Sequence, residues 1–377
     1  MDWSLRGSEQ KITGVLDPTL QAASTFEMSL RDLEGHAESP GGEQISRTAS
    51  LTARYGWEPT GADRLHVFWK ASREDHRISF RSPQQPPFEI SIARMDDAAS
   101  AEDVSFARLG TLLRAVVGLV EALPPDAGAA RELPPEPLAQ LRQAAADMPD
   151  LLGRFEASAQ VHGIAAASAA FRGSLAEMDF ETHGEPTGDG MFRLAVRQTL
   201  EGLESPLIPP AMHDLVPHKL VLAWDVAGLP GREFSALLAR ALEKDAPPPT
   251  NEAFAALLRR GPLTLGLDEL GFDVGPATIT AHGELRLPSP EEFAGTLHIR
   301  MTGLDALMAR ARGDQQLARM VPMLAMLKGF GRPQGEAMVW DIVADRGRTL
   351  VNGTDLDALA KAARASQGRH PQDRGNR

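Results

Sequence analysis

The strongest constraint in this sequence is a unit that occurs twice: a strand that reaches the dipeptide Gly-Leu and passes into a helix. In one copy, Lys219 to Val226 carries Leu220, Leu222, Trp224 and Val226 at every second position and arrives at Gly228-Leu229. Phe234, Leu237, Leu238 and Ala241 then recur at helical spacing. In the other, Thr296 to Thr302 arrives at Gly303-Leu304, and Leu307, Met308 and Ala311 follow. A strand that turns at once into a helix needs a residue without a Cβ at the turn, and the leucine after it can re-enter the core. A weaker copy runs from Phe192 to Gly202-Leu203. A shared pattern implies strands of one sheet that leave it in the same way.

Period-two alternation extends beyond the repeat. Phe26 to Leu30 and Phe88 to Ala93 alternate, and Leu65–Trp69 with Arg77–Phe80 reads as a hairpin pair. Leu263–Leu267, Ala277–Ala281 and Glu284–Leu287 read as meander strands, and Glu336–Ile342 with Arg348–Gly353 reads as a closing hairpin. Asn352-Gly353 is a strong turn signal. Helical spacing governs Phe106, Leu109, Leu113, Val116, Val117 and Val120, and again Leu317, Met320, Val321, Leu324 and Leu327. The expected class is α+β: a mostly antiparallel sheet built from repeated strand–Gly-Leu–helix units, with helices along one side.

Four regions follow from the changes of pattern. Residues 1–123 form a β-rich region ending in an amphipathic helix, and 124–150 a Pro/Ala-rich linker with a short helix through Leu138, Leu141 and Ala145. Residues 151–360 carry the repeats, and the polar tail at 361–377 reads as disordered.

Composition narrows the function. A net charge of -12 and 5% aromatic residues disfavour nucleic acid, whose phosphates would be repelled and whose bases would find few stacking partners. The absence of cysteine removes disulfides, thiolate nucleophiles and Cys-ligated metals. No signal peptide is visible in the first ten residues, and no apolar run reaches the ~20 residues of a membrane helix. Trp3 to Arg6 already alternates, as if the chain opened inside a strand and an upstream segment lay outside it.

Hydrolase elbows, Walker loops, zinc helices and EF-hand loops do not occur, so no catalytic residue, metal ligand or cofactor is expected. His282 and His298 fall in strands that could bring them face to face. Methionines gather late, at Met301, Met308, Met320, Met323, Met326 and Met338, and the last five are the candidate groove residues. Core packing is the default reading of these five, and a soft apolar groove is the functional alternative. Gly228, Leu229, Gly303, Leu304, Asn352 and Gly353 are expected to be structural turn residues.

The stretch from His218 to Leu356 resembles an uncharacterised alphaproteobacterial envelope family, domain of unknown function family 2125. The likeness is carried by Gly228-Leu229, Gly303-Leu304, Gly283-Glu284-Leu285 and the ending Thr349 to Gly353. That family is similar to YdgA-type and AsmA-type cell-envelope proteins. The resemblance implies a periplasmic or inner-membrane-associated location, an anchor or signal that this chain does not display, and a long curved sheet with an apolar concave face. It also implies a non-catalytic role, binding or passing a lipid acyl chain. A structural protein that pairs its sheet edge with an envelope partner is the first rival, and an enzyme with an unrecognised site the second.

Overall fold

The computed structural model describes residues 2–17, 22–39, 41–83, 85–122, 135–146, 153–169, 171–188, 190–241, 257–258, 261–288, 292–345 and 348–355. The rest of the linker and the tail lie outside the described residues.

One open, curled antiparallel sheet organises the molecule, and its strands follow chain order as a meander. β1 (Asp2–Arg6) and β2 (Glu9–Asp17) lie end to end along β3 (Ala22–Ser39), and β4 (Gly42–Gly61), β5 (Arg64–Ser82) and β6 (Gln85–Ser105) continue it. Helices α1 (Phe106–Ala122) and α2 (Pro135–Ala146) intervene before β7 (Phe155–Ser168), which pairs directly with β6. The strands on either side of the expected linker are therefore sheet neighbours. β8 (Arg172–Gly188), β9 (Met191–Glu201) and β10 (Lys219–Pro230) lead to helix α3 (Gly231–Ala241). β11 (Leu263–Val274), β12 (Ala277–Leu287) and β13 (Ala294–Thr302) follow, then α4 (Leu304–Gly313) and α5 (Val321–Phe330). β15 (Ala337–Asp345) pairs with β13 on one side. On its other side β15 takes β14 (Arg332–Gln334) and β16 (Arg348–Val351), and β17 (Thr354–Asp355) pairs with β16.

Both repeat strands belong to this sheet, as their shared pattern implies, but they exit differently. β10 and β13 are three antiparallel steps apart, so their helices leave from opposite ends. Gly303 is left-handed at φ 71° and stands immediately before α4, while Leu304 is buried at 3% exposure. Gly228 is also left-handed, at φ 76°, but it sits in a bulge inside β10, and Leu229 still pairs with Phe192. The true counterpart of Gly228 is Asp103, left-handed at φ 59°, in the equivalent bulge of β6. In each strand two further residues separate this position from the first residue of the helix, Val104-Ser105 before α1 and Leu229-Pro230 before α3.

The hairpin expected between Leu65–Trp69 and Arg77–Phe80 is instead the single strand β5. Its alternation breaks because Asp75 is left-handed. The same device recurs on alternate strands at one level of the sheet: Asp32 on β3, Asp75 on β5, Gly163 on β7 and Gly202 after β9 all have positive φ. Opposite them stand alanines. A Cβ on Gly163 would lie 2.8 Å from the Cβ of Ala93, and one on Gly202 would lie 2.6 Å from that of Ala176. Apolar spacing slips by one residue along this line, from Leu30 to Leu33 and from Val161 to Ile164. β6 and β8 slip in step, from Ile92 to Met95 and from Leu175 to Met178. A left-handed residue in a strand re-aims the side chains that follow it.

Two buried clusters hold helices to the sheet. α1 packs through Leu109 and Leu112 near Leu65, Val104, Trp57, Val67 and Ala101. Its Phe106, Leu113 and Val117, expected on the covered stripe, are exposed instead. α2 bridges α1 and α3. The larger core lies under α4 and α5, where Leu304, Leu307, Met308, Ala311, Leu317 and Leu324 meet Ala277, Met301, Trp340 and Val351. The helix expected around Leu317–Leu327 begins as a 3-10 turn, Ala318–Met320, and becomes α5 with Pro322 in its first turn, where a proline does no harm. Asn352, left-handed at φ 50°, ties this module together. Its side-chain amide donates to the carbonyls of Phe330 and Val339, and its oxygen accepts from the N–H of Asp341.

Candidate functional site: one apolar face of the sheet

Residues directly opposite across an antiparallel sheet point to the same face, so register can be read as rows of side chains. One row crosses the sheet from β3 to β15: Leu30, Leu51, Arg73, Met95, Val161, Met178, Leu200, Leu220, Phe272, Ile279, Met301 and Met338. Only Arg73 is charged. The adjacent row on that face runs through Met28, Ala53, Ala71, Asp97, Ala159, Phe180, Gln198, Leu222, Leu270, Ala281, Ile299 and Trp340. A third carries Tyr55, Trp69, Val196, Trp224, Leu267, Leu297 and Ile342.

The opposite face is built from the intervening residues and is mostly polar from β2 to β9, while on β10 it carries the buried Val221 and Ala223. Its rows include Lys11, Ser29, Thr52, Ser72, Asp96, Gln160 and Asp179, and beside them Glu27, Arg54, Lys70, Glu181 and Arg197. The His282 and His298 rings stack here with centroids 5.1 Å apart, and His298 Nδ1 lies 2.8 Å from Asp341 Oδ1. Among the described residues, no cluster of three His, Asp or Glu side chains could hold a metal ion.

The apolar face is covered only in part. α1 lies over it at β4–β6, where Trp57, Val67 and Ala101 belong to it, and α4 and α5 lie over Met301, Ile279, Ile299 and Trp340. Near the second cover a cavity of about 320 Å³ is lined by Leu265, Leu267, Leu285, Leu297, Ile342 and Ala344. Its floor is lowered by Gly283 and Gly295. A Cβ on Gly283 would stand 2.3 Å from the carbonyl oxygen of Thr296, and one on Gly295 2.4 Å from that of Glu284.

The five methionines divide. Met308 is buried in the core beneath α4, and Met320 and Met338 pack against the same core. Met338 also ends the first apolar row. Met323 and Met326 are exposed on α5, at 49% and 58%. The methionines thus do not meet in one lining.

Charge interrupts the apolar face between β5 and β6. Asp97 is 8% exposed, its Oδ2 accepts no hydrogen bond, and the Arg73 guanidinium lies 3.8 Å away. Burial pushes the Asp97 carboxyl up, Arg73 opposes that rise, and Asp96 adds to it. Further along β5, His76 is held below the usual histidine range, first by burial and then by Arg73, while a hydrogen bond to the Arg47 backbone works the other way. Its Nδ1 is hydrogen-bonded to Thr48 Oγ1 at 2.8 Å. No motif marks Arg73 or Asp97 in the sequence. Their one signal is that each puts a charge where its strand's alternation calls for an apolar side chain.

An open antiparallel meander, apolar on one face, polar on the other and only locally covered by helices, is the class these features define. The chain belongs to a family of uncharacterized proteins conserved in bacteria (DUF2125), which matches residues 154–359, from the start of β7 through β17. No curated protein and no solved structure matches it. Among the described residues, no helix is long and apolar enough to cross a membrane.

Proposed function

We propose that the apolar face binds an acyl chain, and that the protein is a non-catalytic carrier or scaffold for lipid in the cell envelope. The supporting observation is the row from Leu30 to Met338, apolar at every strand except β5. A face of this kind left to water costs about 25 cal/mol per Å² of apolar surface, and an acyl chain laid along it recovers roughly 0.8 kcal/mol per methylene. The envelope location and the kinship with YdgA-type and AsmA-type proteins rest on the resemblance of the repeat and the closing hairpin.

Titration with a fluorescent fatty acid tests the reading. Wild-type protein should bind saturably, and Leu200→Glu and Leu222→Glu, placed mid-sheet on the apolar face, should abolish binding while circular dichroism and Tm hold. Failure of the wild type to bind any lipid saturably overturns it.

A second reading has its own observation. Among the described residues β2 pairs on one side only, with β3, and Ile12, Val15 and Leu16 on it are 55%, 63% and 68% exposed. An extended segment of an envelope protein could add a strand there. A stable protein complex that forms without lipid and is lost on placing proline at Ile12 would favour this reading.

A further inference from the structure

Helix α5, V-P-M-L-A-M-L-K-G-F, is apolar around most of its circumference, with Lys328 its one charged residue. A helix of that composition is normally covered on all sides. Here only Leu324 is buried, and Met323, Met326 and Leu327 are exposed at 49%, 58% and 39%. Spaced i, i+3 and i+4, these three share one face. The structure holds that face outward. Leu324 anchors the helix in the core, Trp340 Nε1 donates to the Leu327 carbonyl at 2.9 Å, and Asn352 Nδ2 donates to that of Phe330 at 2.7 Å.

Charge around the helix runs against the rest of the chain. The whole protein carries -12, yet no Asp or Glu occurs between Asp314 and Glu336, whereas Arg319, Lys328 and Arg332 do. Arg319 stands just before the helix and Lys328 in its last turn, where it meets Asp305. Arg319, and Arg312 near the end of α4, are exposed and form no ion pair among the described residues.

We propose that α5 docks the protein on the surface of an anionic bilayer. Met323, Met326 and Leu327 enter the boundary between headgroups and acyl chains, and Arg312, Arg319 and Lys328 reach the lipid phosphates. The ten residues span about 15 Å, roughly half the hydrocarbon core, so the helix lies on the membrane and does not cross it. Apolar side chains on the outward face with cations at its ends match the order of a bilayer surface, acyl boundary below and anionic headgroups above. Pairing of two copies through α5 would instead set like charges together. The proposal is independent of the acyl-chain reading, since a docked protein need bind no single lipid and a lipid carrier need not dock.

Flotation of the full-length protein with vesicles tests it. Wild type should associate with vesicles of phosphatidylethanolamine and phosphatidylglycerol about tenfold more strongly than with phosphatidylcholine alone, and added salt should shrink that difference. Met323→Glu/Met326→Glu, which leaves Leu324 in place, should lower association with both by about tenfold or more while circular dichroism and Tm hold, and Met323→Leu/Met326→Leu should retain it. Arg312→Gln/Arg319→Gln should weaken association with the anionic vesicles only. Absence of wild-type association, or association that Met323→Glu/Met326→Glu leaves unchanged, overturns the proposal. So does a complex of two copies, or with another protein, that forms in place of vesicle association and is lost in that variant. Saturable fatty-acid binding without vesicle association overturns the docking alone. If the glutamate variant fails to fold, Met326→Trp decides: brominated acyl chains should quench the fluorescence it adds, and unquenched fluorescence overturns the proposal.

Discussion

The two ends of the sheet solve the same problem differently. At the β3–β6 end the strands run to about twenty residues, and few side chains are buried, among them Leu33, Ala53, Leu65 and Val104. At the other end β11, β12, β13 and β15 are nine to twelve residues long, yet ten buried residues knit the sheet to α4 and α5. One end is held mainly by the backbone ladder, with α1 over only one margin of it at Trp57, Val67 and Ala101, and leaves its other apolar side chains without a helix. The other hides them under helices. Stability and ligand capacity are therefore expected to reside in different parts of one continuous sheet.

The sharpest way to break the helix-covered end is Gly303→Val. The residue is left-handed, and an added Cβ would meet the carbonyl oxygen of Pro276 at 2.0 Å. We expect a loss of about 4 kcal/mol, read from denaturant midpoints. Gly228→Val, where the clash with Pro262 is at 2.6 Å within a bulge, should cost less. Next comes a matched pair of leucines. Leu317→Ala, in the closed core at 2% exposure, should cost about 3 kcal/mol, and Leu51→Ala, on the open face, about 1 kcal/mol. Equal losses would mean that the two ends are packed alike.

A pH series sharpens the comparison further. Asp97 has a carboxyl pushed up by burial, so between its ordinary and raised values the folded chain holds more protons than the unfolded one. Stability should fall as pH rises through that window, and Asp97→Asn should remove the fall and raise Tm at neutral pH. The smallest effect belongs to Met323→Glu and Met326→Glu. Both side chains project from α5 into solvent, so Tm should correspond to a change within about 0.5 kcal/mol.

Much of the fold was legible because alternation and helical spacing are local. The two repeat strands, the meander between them, the closing hairpin and the facing pair His282 and His298 follow from spacing alone. Gly303 was legible because strand, glycine and helix abut. Asp103 was not, since an aspartate in a left-handed bulge looks like any surface aspartate. β5 reads as a hairpin in the sequence because Asp75 breaks its alternation without breaking its pairing. The apolar face itself was hidden for a different reason. It is a property of register, which joins Leu30 to Met338 through eleven pairings that one strand cannot reveal. Most of the late methionines belong to α4 and α5 or the turn between them, whereas the apolar rows draw on β3 to β13 and β15.

The line of left-handed residues has a consequence for how such a sheet can change size. Asp32, Asp75, Gly163 and Gly202 occupy β3, β5, β7 and the end of β9, never two neighbouring strands. Each needs an alanine-bearing neighbour across from it, so the pattern counts in twos. Adding or removing one strand would set two such residues side by side, or two alanines, and reverse every strand that follows. Adding or removing a hairpin leaves phase, direction and the sidedness of the surface intact. Such a sheet can grow or shrink only in even steps, and each step widens or narrows the apolar surface by one hairpin.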